Sequence, residues 1–191
     1  MDSYRLKVLS RYASGRTLDI GYAQCPNPYL QYAYGIDIEH CKVDAKNYIK
    51  KDIIKPDEYK YPYRSGFFDS VIAGEVIEHI PNLHDFLIGI RRILKNDGIL
   101  LISCPNPASP VEVLVHIWKY ISGVDYKLGK KGEHCHSFLF TNMITLLNNY
   151  GFDVHRIEGS HIQIPFTDIK IPCRFVPLAY QTIYICSKRK V

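Results

Sequence analysis

Apolar residues along the first half of the chain fall into short blocks separated by polar stretches. RTLDIGY (16–22), YGIDI (34–38), YIKKDI (48–53), FFDSVIAG (67–74) and ILLISC (99–104) are compact runs with a length suited to strands. Several are apolar at nearly every position, the pattern of a parallel strand covered on both faces. HDFLIGIRRILKN (84–96) instead places Phe86, Leu87, Ile90, Ile93 and Leu94 on one side and two arginines on the other, which predicts a helix. Asn96-Asp97-Gly98 reads as the turn that ends it. Asn27-Pro28 pairs a good N-cap with a residue suited to the first helical turn, and predicts a helix to about Tyr32. Residues 1–15 read as a short polar lead-in. The stretch 39–47 is too short for much of a helix, and 54–66, with Pro56, Pro62 and Gly66, is a predicted loop.

The pattern changes after residue 104. PNPASP opens a segment (105–135) containing the apolar helical stretch VEVLVHIWKYI (111–121) and the loop SGVDYKLGKKGE (122–133). The helical stretch fits either a core-packing helix or a cover over the site. Thr141 to Tyr150 is a predicted helix stopped by Gly151. FDVHRIEGSHIQI (152–164) and QTIYICSK (181–188) are predicted strands, with Pro165, Pro172 and Pro177 marking a loop between them. Two late strands with no helical pattern between them suggest an antiparallel pair at the sheet edge. Strands alternating with helices over the rest argue an α/β sheet with helices on both faces.

Composition narrows the function classes. A chain of 191 residues suits one domain, with no room for two catalytic domains. The net charge of +5 owes three charges to Lys188, Arg189 and Lys190 in the tail, leaving a nearly balanced body without the basic stripe of a nucleic-acid binder. Six scattered cysteines without a CxxC, and no apolar leader or membrane span, point to a reducing cytoplasm and free thiols.

The early strands each bring an acid or a glycine to the carboxyl end: Asp19 and Gly21, Asp37, Asp52, then Gly74 and Glu75. Any one reads equally as a cap or a solvent-facing carboxylate; one per successive strand does not. Ligands of doubly wound sheets bind at these ends. The set suits a nucleoside with a cationic tail: a carboxylate after the second strand for ribose hydroxyls, one after the third for an exocyclic amine, and Asp19 for an ammonium group.

LDIGYAQ (18–24), YGIDI (34–38), KKDI (50–53), FFDSVIAGEVIEHIPN (67–82) and RRILKNDGILLISCPNP (91–107) resemble the class I S-adenosylmethionine-dependent methyltransferases, most closely the small type 11/23 group. HSFLFTNMITLLNNYGFDV (136–154) is similar to that group's penultimate helix and strand. The resemblance covers 16–107 and 136–187. It implies a Rossmann-like, doubly wound, mostly parallel seven-stranded sheet with an antiparallel terminal strand, forming one methyltransferase domain over residues 1–191. It further implies S-adenosylmethionine as cofactor and S-adenosylhomocysteine as product. On this resemblance Asp19 and Gly21, with Tyr22 and Ala23 in the same loop, meet the methionine part. Asp37 binds ribose with Ile38 beside the adenine, and Asp52 with Ile53 binds the adenine. Gly74 and Glu75 lie under the methionine side, facing the acceptor. Ala23 and Cys25 stand where the group usually has glycines.

Methyl transfer from a sulfonium depends chiefly on proximity and alignment, and a base is needed only when the acceptor must lose a proton. The candidates are Glu75, His79 and His136, with His134 nearby. The Glu133-His134-Cys135-His136 spacing is not that of a zinc motif, so no metal is expected. The acceptor expected is a small molecule or glycan intermediate, methylated on oxygen or nitrogen by a monomer or homodimer, with residues 105–135 covering the cleft. Trp118, Tyr120 and Tyr126 would stack on it, and Lys127, Lys130 and Lys131 would meet a phosphate. The alternative is a methyltransferase-like binding protein that has lost catalysis. A nicotinamide oxidoreductase is disfavoured because no GxGxxG follows the first strand.

Overall fold

Alternation along the central strands sorts the core into two layers. Val71, Ala73, Leu100, Ile102, Cys104, Tyr184 and Cys186 point to one side of the sheet, and Ile72, Leu101, Ile183 and Ile185 to the other. The computed structural model describes residues 3–23, 25–30, 33–38, 48–50, 61–123, 134–165, 167 and 169–190. Its strands are β1 (Thr17–Ile20), β2 (Tyr34–Asp37), β3 (Tyr48–Lys50), β4 (Phe68–Gly74), β5 (Leu94–Pro105), β6 (Phe152–Gly159), β7 (His161–Gln163), β8 (Lys170–Pro172) and β9 (Gln181–Lys188). Seven of them form one sheet in the order β3-β2-β1-β4-β5-β9-β6, while β7 and β8 pair separately. β1 to β5 are mutually parallel, and β9 runs antiparallel to both neighbours. This is the Rossmann-like seven-stranded sheet expected, with its late antiparallel strand inserted beside β5.

Helices cover both faces. α2 (Leu83–Ile93) buries Phe86, Leu87, Ile90 and Ile93, and α4 (Phe140–Asn149) buries Met143 and Leu147, against the first layer. Asn82 caps α2 by accepting from the Asp85 amide. The second layer is closed by α1 (Ser3–Tyr12), through Val8 and Leu9. The polar lead-in is therefore a core-forming helix. Leu6, Val8 and Leu9 are its buried apolar positions, but Arg5, Lys7 and Arg11 dilute the pattern.

Other expectations change in detail. Asn27 does not start a helix within the described residues 25–30. Its side chain accepts from the Tyr29 amide and its carbonyl from Leu30, which makes a turn. Asn96-Asp97-Gly98 lies inside β5, where the pairing register with β4 shifts, rather than in a turn. The strand expected over 152–164 breaks at Ser160 into β6 and β7, and the proline-marked loop contributes β8. α3 (Pro110–Ile121), capped by Ser109, has no buried residue. Its apolar stretch is not a core-packing helix.

Candidate active site

Strand order reverses between β1 and β4: β2 and β3 lie on one side, β5 onward on the other. The crevice beyond the carboxyl ends at such a reversal is where open α/β sheets bind ligands. Asp19, Gly21 and Cys25 from the β1 end, Gly74 from the β4 end and Arg5 from α1 line a pocket there. Gly21 takes φ +82°, and a Cβ on it would come within 2.8 Å of Val76 Cγ2, so both backbone and packing require glycine. Its amide donates to the Ile36 carbonyl, which ties the first loop to β2.

Charge in this crevice is arranged around Asp19. The residue is 7% exposed, and burial pushes its carboxyl up to about 7; the Arg5 guanidinium pulls it down and Asp37 adds a smaller push upward. Asp37, also buried, accepts from the Ala23 amide at 2.8 Å. Ile38 beside it is exposed, and Tyr22 lies against Gly35 and tilts towards Tyr48. Asp52 and Ile53 lie outside the described residues. Ala23 and Cys25 have no positive φ, since Glu75 is the one described non-glycine residue that does. The backbone of this loop therefore does not need glycine at either position.

Glu75, at φ +58°, turns the chain sharply after β4. A left-handed non-glycine residue is strained and is held only by its surroundings. Here Ser103 Oγ donates to Oε1 at 3.2 Å and Gln181 Nε2 to Oε2 at 3.0 Å. Ser160 Oγ donates in turn to Gln181 Oε1 at 2.9 Å, which leaves the hydroxyl oxygen to accept from His161 Nδ1–H at 3.0 Å. Three strands thus converge on one carboxylate.

The turn after Glu75 carries His79, and the segment before α4 brings His134 and His136 against it. His136 Nε2 lies 3.0 Å from the Ile80 carbonyl. A carbonyl only accepts, so Nε2 carries a proton, and in the neutral ring Nδ1 has the lone pair. His136 lines a second pocket with Glu78, Cys104, His134 and Phe138. His79 is not part of that lining; its ring meets the His134 ring edge-on at 4.8 Å. Glu78 is 1% exposed, and burial, with a push from Glu75, raises its carboxyl to about 8. Sequence reasoning missed Arg5, Glu78, Ser103 and Gln181. A cation set among Leu6, Val8 and Leu9 was the available signal for Arg5, and the acid preceding His79 for Glu78; Ser103 and Gln181 give none.

A family model described as a methyltransferase domain matches residues 6–157. The chain belongs to the class I S-adenosylmethionine-dependent methyltransferases. Over 101 residues it is 29% identical to a ubiquinone biosynthesis O-methyltransferase of Glaesserella parasuis serovar 5 (strain SH0165), covering 52% of this chain and 37% of that protein. The chain spans 35% to 44% of the length of the curated relatives it matches. In fold it resembles a possible histamine N-methyltransferase of Thermotoga maritima, with a TM-score of 0.75 at 16% identity over 97% of this chain and 88% of that one. A methyltransferase of Archaeoglobus fulgidus gives 0.67 at 20% identity, over 98% and 92%. The family's cofactor is S-adenosylmethionine, and the donor set of this methyltransferase suits it. Asp19 and Arg5 offer opposite charges to an amino-acid zwitterion, and the Asp37 carboxylate stands one strand away.

Proposed function

We propose that this methyltransferase moves the methyl group of S-adenosylmethionine to a hydroxyl oxygen of a small-molecule acceptor, in the cytoplasm. The observation that carries the reading is the meeting of Asp19, Gly21, Gly74 and Arg5 in one pocket at the reversal of strand order. When bound, the cofactor supplies an electrophilic methyl on a sulfonium. Asp19 holds the ammonium, Arg5 the carboxylate and Asp37 the ribose hydroxyls, which fixes the line of attack. Glu75, braced on both oxygens, holds the loop under the reacting end. His136 Nδ1 takes the acceptor proton, since Nε2 is committed to the Ile80 carbonyl. His79 orients the same turn. α3 forms the cover, with Val113, Leu114, Ile117 and Trp118 presenting exposed apolar surface to an acceptor, while Tyr126, Lys127, Lys130 and Lys131 lie outside the described residues. The O-methyltransferase name of the curated relatives supports oxygen as the acceptor atom. The free state of the five described cysteines supports a reducing compartment.

The test is release of S-adenosylhomocysteine from S-adenosylmethionine across paired acceptors. Each hydroxyl compound is run beside its methyl ether and its amine analogue. Release with hydroxyl compounds that disappears with the ethers is expected. Release with amines alone would contradict the oxygen assignment. Cofactor binding without release from any acceptor would favour the catalytically degenerate alternative.

A further inference from the structure

Glu78, His79 and His134 come from two segments that backbone hydrogen bonds clamp together. The amides of Cys135 and His136 both donate to the Glu78 carbonyl, at 2.7 and 3.1 Å, and this sets His134 against His79 across 55 residues of sequence. One carboxylate oxygen and one imidazole nitrogen from each histidine all lie within 4.8 Å of one another. Both carboxylate oxygens of Glu78 are buried and neither is hydrogen-bonded to another residue. A buried carboxylate with no partner is costly, and such groups are normally paired or bound to a cation. The cluster is not an acidic patch: it is two imidazoles and one carboxylate, a donor set that suits zinc and its neighbours rather than magnesium or calcium.

We propose that Glu78, His79 and His134 bind one divalent transition-metal ion of the zinc class, with a fourth position left to water. Three protein ligands and one open position is the arrangement of an accessible rather than a closed zinc site. Metal bonds of about 2.0–2.2 Å require the three donors to draw closer than they stand now. The exposed His134 ring can supply that movement. Two of the ligands, Glu78 and His134, line the pocket that also holds His136.

The experiment uses the full chain, stripped with a chelator, and Co²⁺ and Zn²⁺ as probes. Co²⁺ is followed by its visible absorption and Zn²⁺ by competition with a chromogenic chelator. One equivalent with a four- or five-coordinate nitrogen/oxygen Co²⁺ spectrum is expected. Glu78→Gln and His134→Ala should each weaken binding by at least about tenfold to a hundredfold, the scale seen when even outer partners of metal ligands are removed. His134 is exposed, so its variant reports binding without a folding defect. His155→Ala and Cys135→Ser serve as controls and should leave affinity unchanged. The proposal is overturned if His134→Ala binds as the parent does, if Cys135→Ser alone removes binding, or if no equivalent binds. Each readout is independent of methyl transfer, so a negative result here leaves the functional reading above standing.

Discussion

Asp19 shows how much one buried acid can control. Its folded pKa of about 7 lies well above the roughly 3.9 of an unfolded aspartate. Between those values the folded chain holds a proton that the unfolded chain has lost, so stability falls as pH rises from about 4 to about 7, then levels off. Three units correspond to at most about 4 kcal/mol. Arg5 opposes the shift and Asp37 adds to it, while Glu78 acts in the same direction up to about 8. The unfolding midpoint, measured without cofactor and with chelator present, is therefore expected to be higher at pH 5.5 than at pH 8. Asp19→Asn should flatten the trend; a midpoint that climbs across this window would contradict it. Asp19, Asp37 and Glu75 were legible because an acid at a strand end stands out from an apolar run. The partners that define their chemistry were not: Arg5 sits 14 residues before Asp19 in sequence, and Gln181 lies 106 residues beyond Glu75.

At the scale of elements, legibility followed the density of the apolar pattern. α2 buries Phe86, Leu87, Ile90 and Ile93, the central strands bury nearly every apolar residue they carry, and both stand out in the sequence. α1 escaped because three cations share its ten residues, yet Leu9 is 1% exposed against the sheet. α3 is the reverse case: its apolar run is long, but Leu114 is 59% exposed. Period alone cannot tell a helix that packs from one that presents its face outward. Leu9→Ala is expected to cost about 2–4 kcal/mol in denaturant unfolding, the range for a well-packed leucine. Leu114→Ala should change stability by less than about 0.5 kcal/mol. Equal costs for the two would contradict the assignment of α1 to the core and α3 to the surface. The division of 152–164 into β6 and β7 falls at Ser160, whose amide donates to Gln181 and whose carbonyl accepts from Cys173, and Gly159 just before it was the available signal.

For the molecule as a whole, the sheet order decides what the strand-end residues mean. Asp19, Gly21, Asp37 and Gly74 are scattered over 56 residues of sequence and become one site because β2, β1 and β4 are adjacent. Sequence alone could name the acids but not their adjacency, which resemblance to the family supplied and the pairing of the strands bears out. Among the described residues no helix is long and apolar enough to cross a membrane. The central claim is that the reversal between β1 and β4 holds S-adenosylmethionine, and calorimetric titration tests it most directly. The account predicts one equivalent bound with a dissociation constant within about 1 μM–1 mM, the usual range for enzyme substrates. It also predicts that Asp37→Ala weakens binding by about 1.5–3 kcal/mol, the scale of hydrogen bonds to a charged group. No heat at millimolar cofactor, or an unchanged affinity in Asp37→Ala, would contradict it.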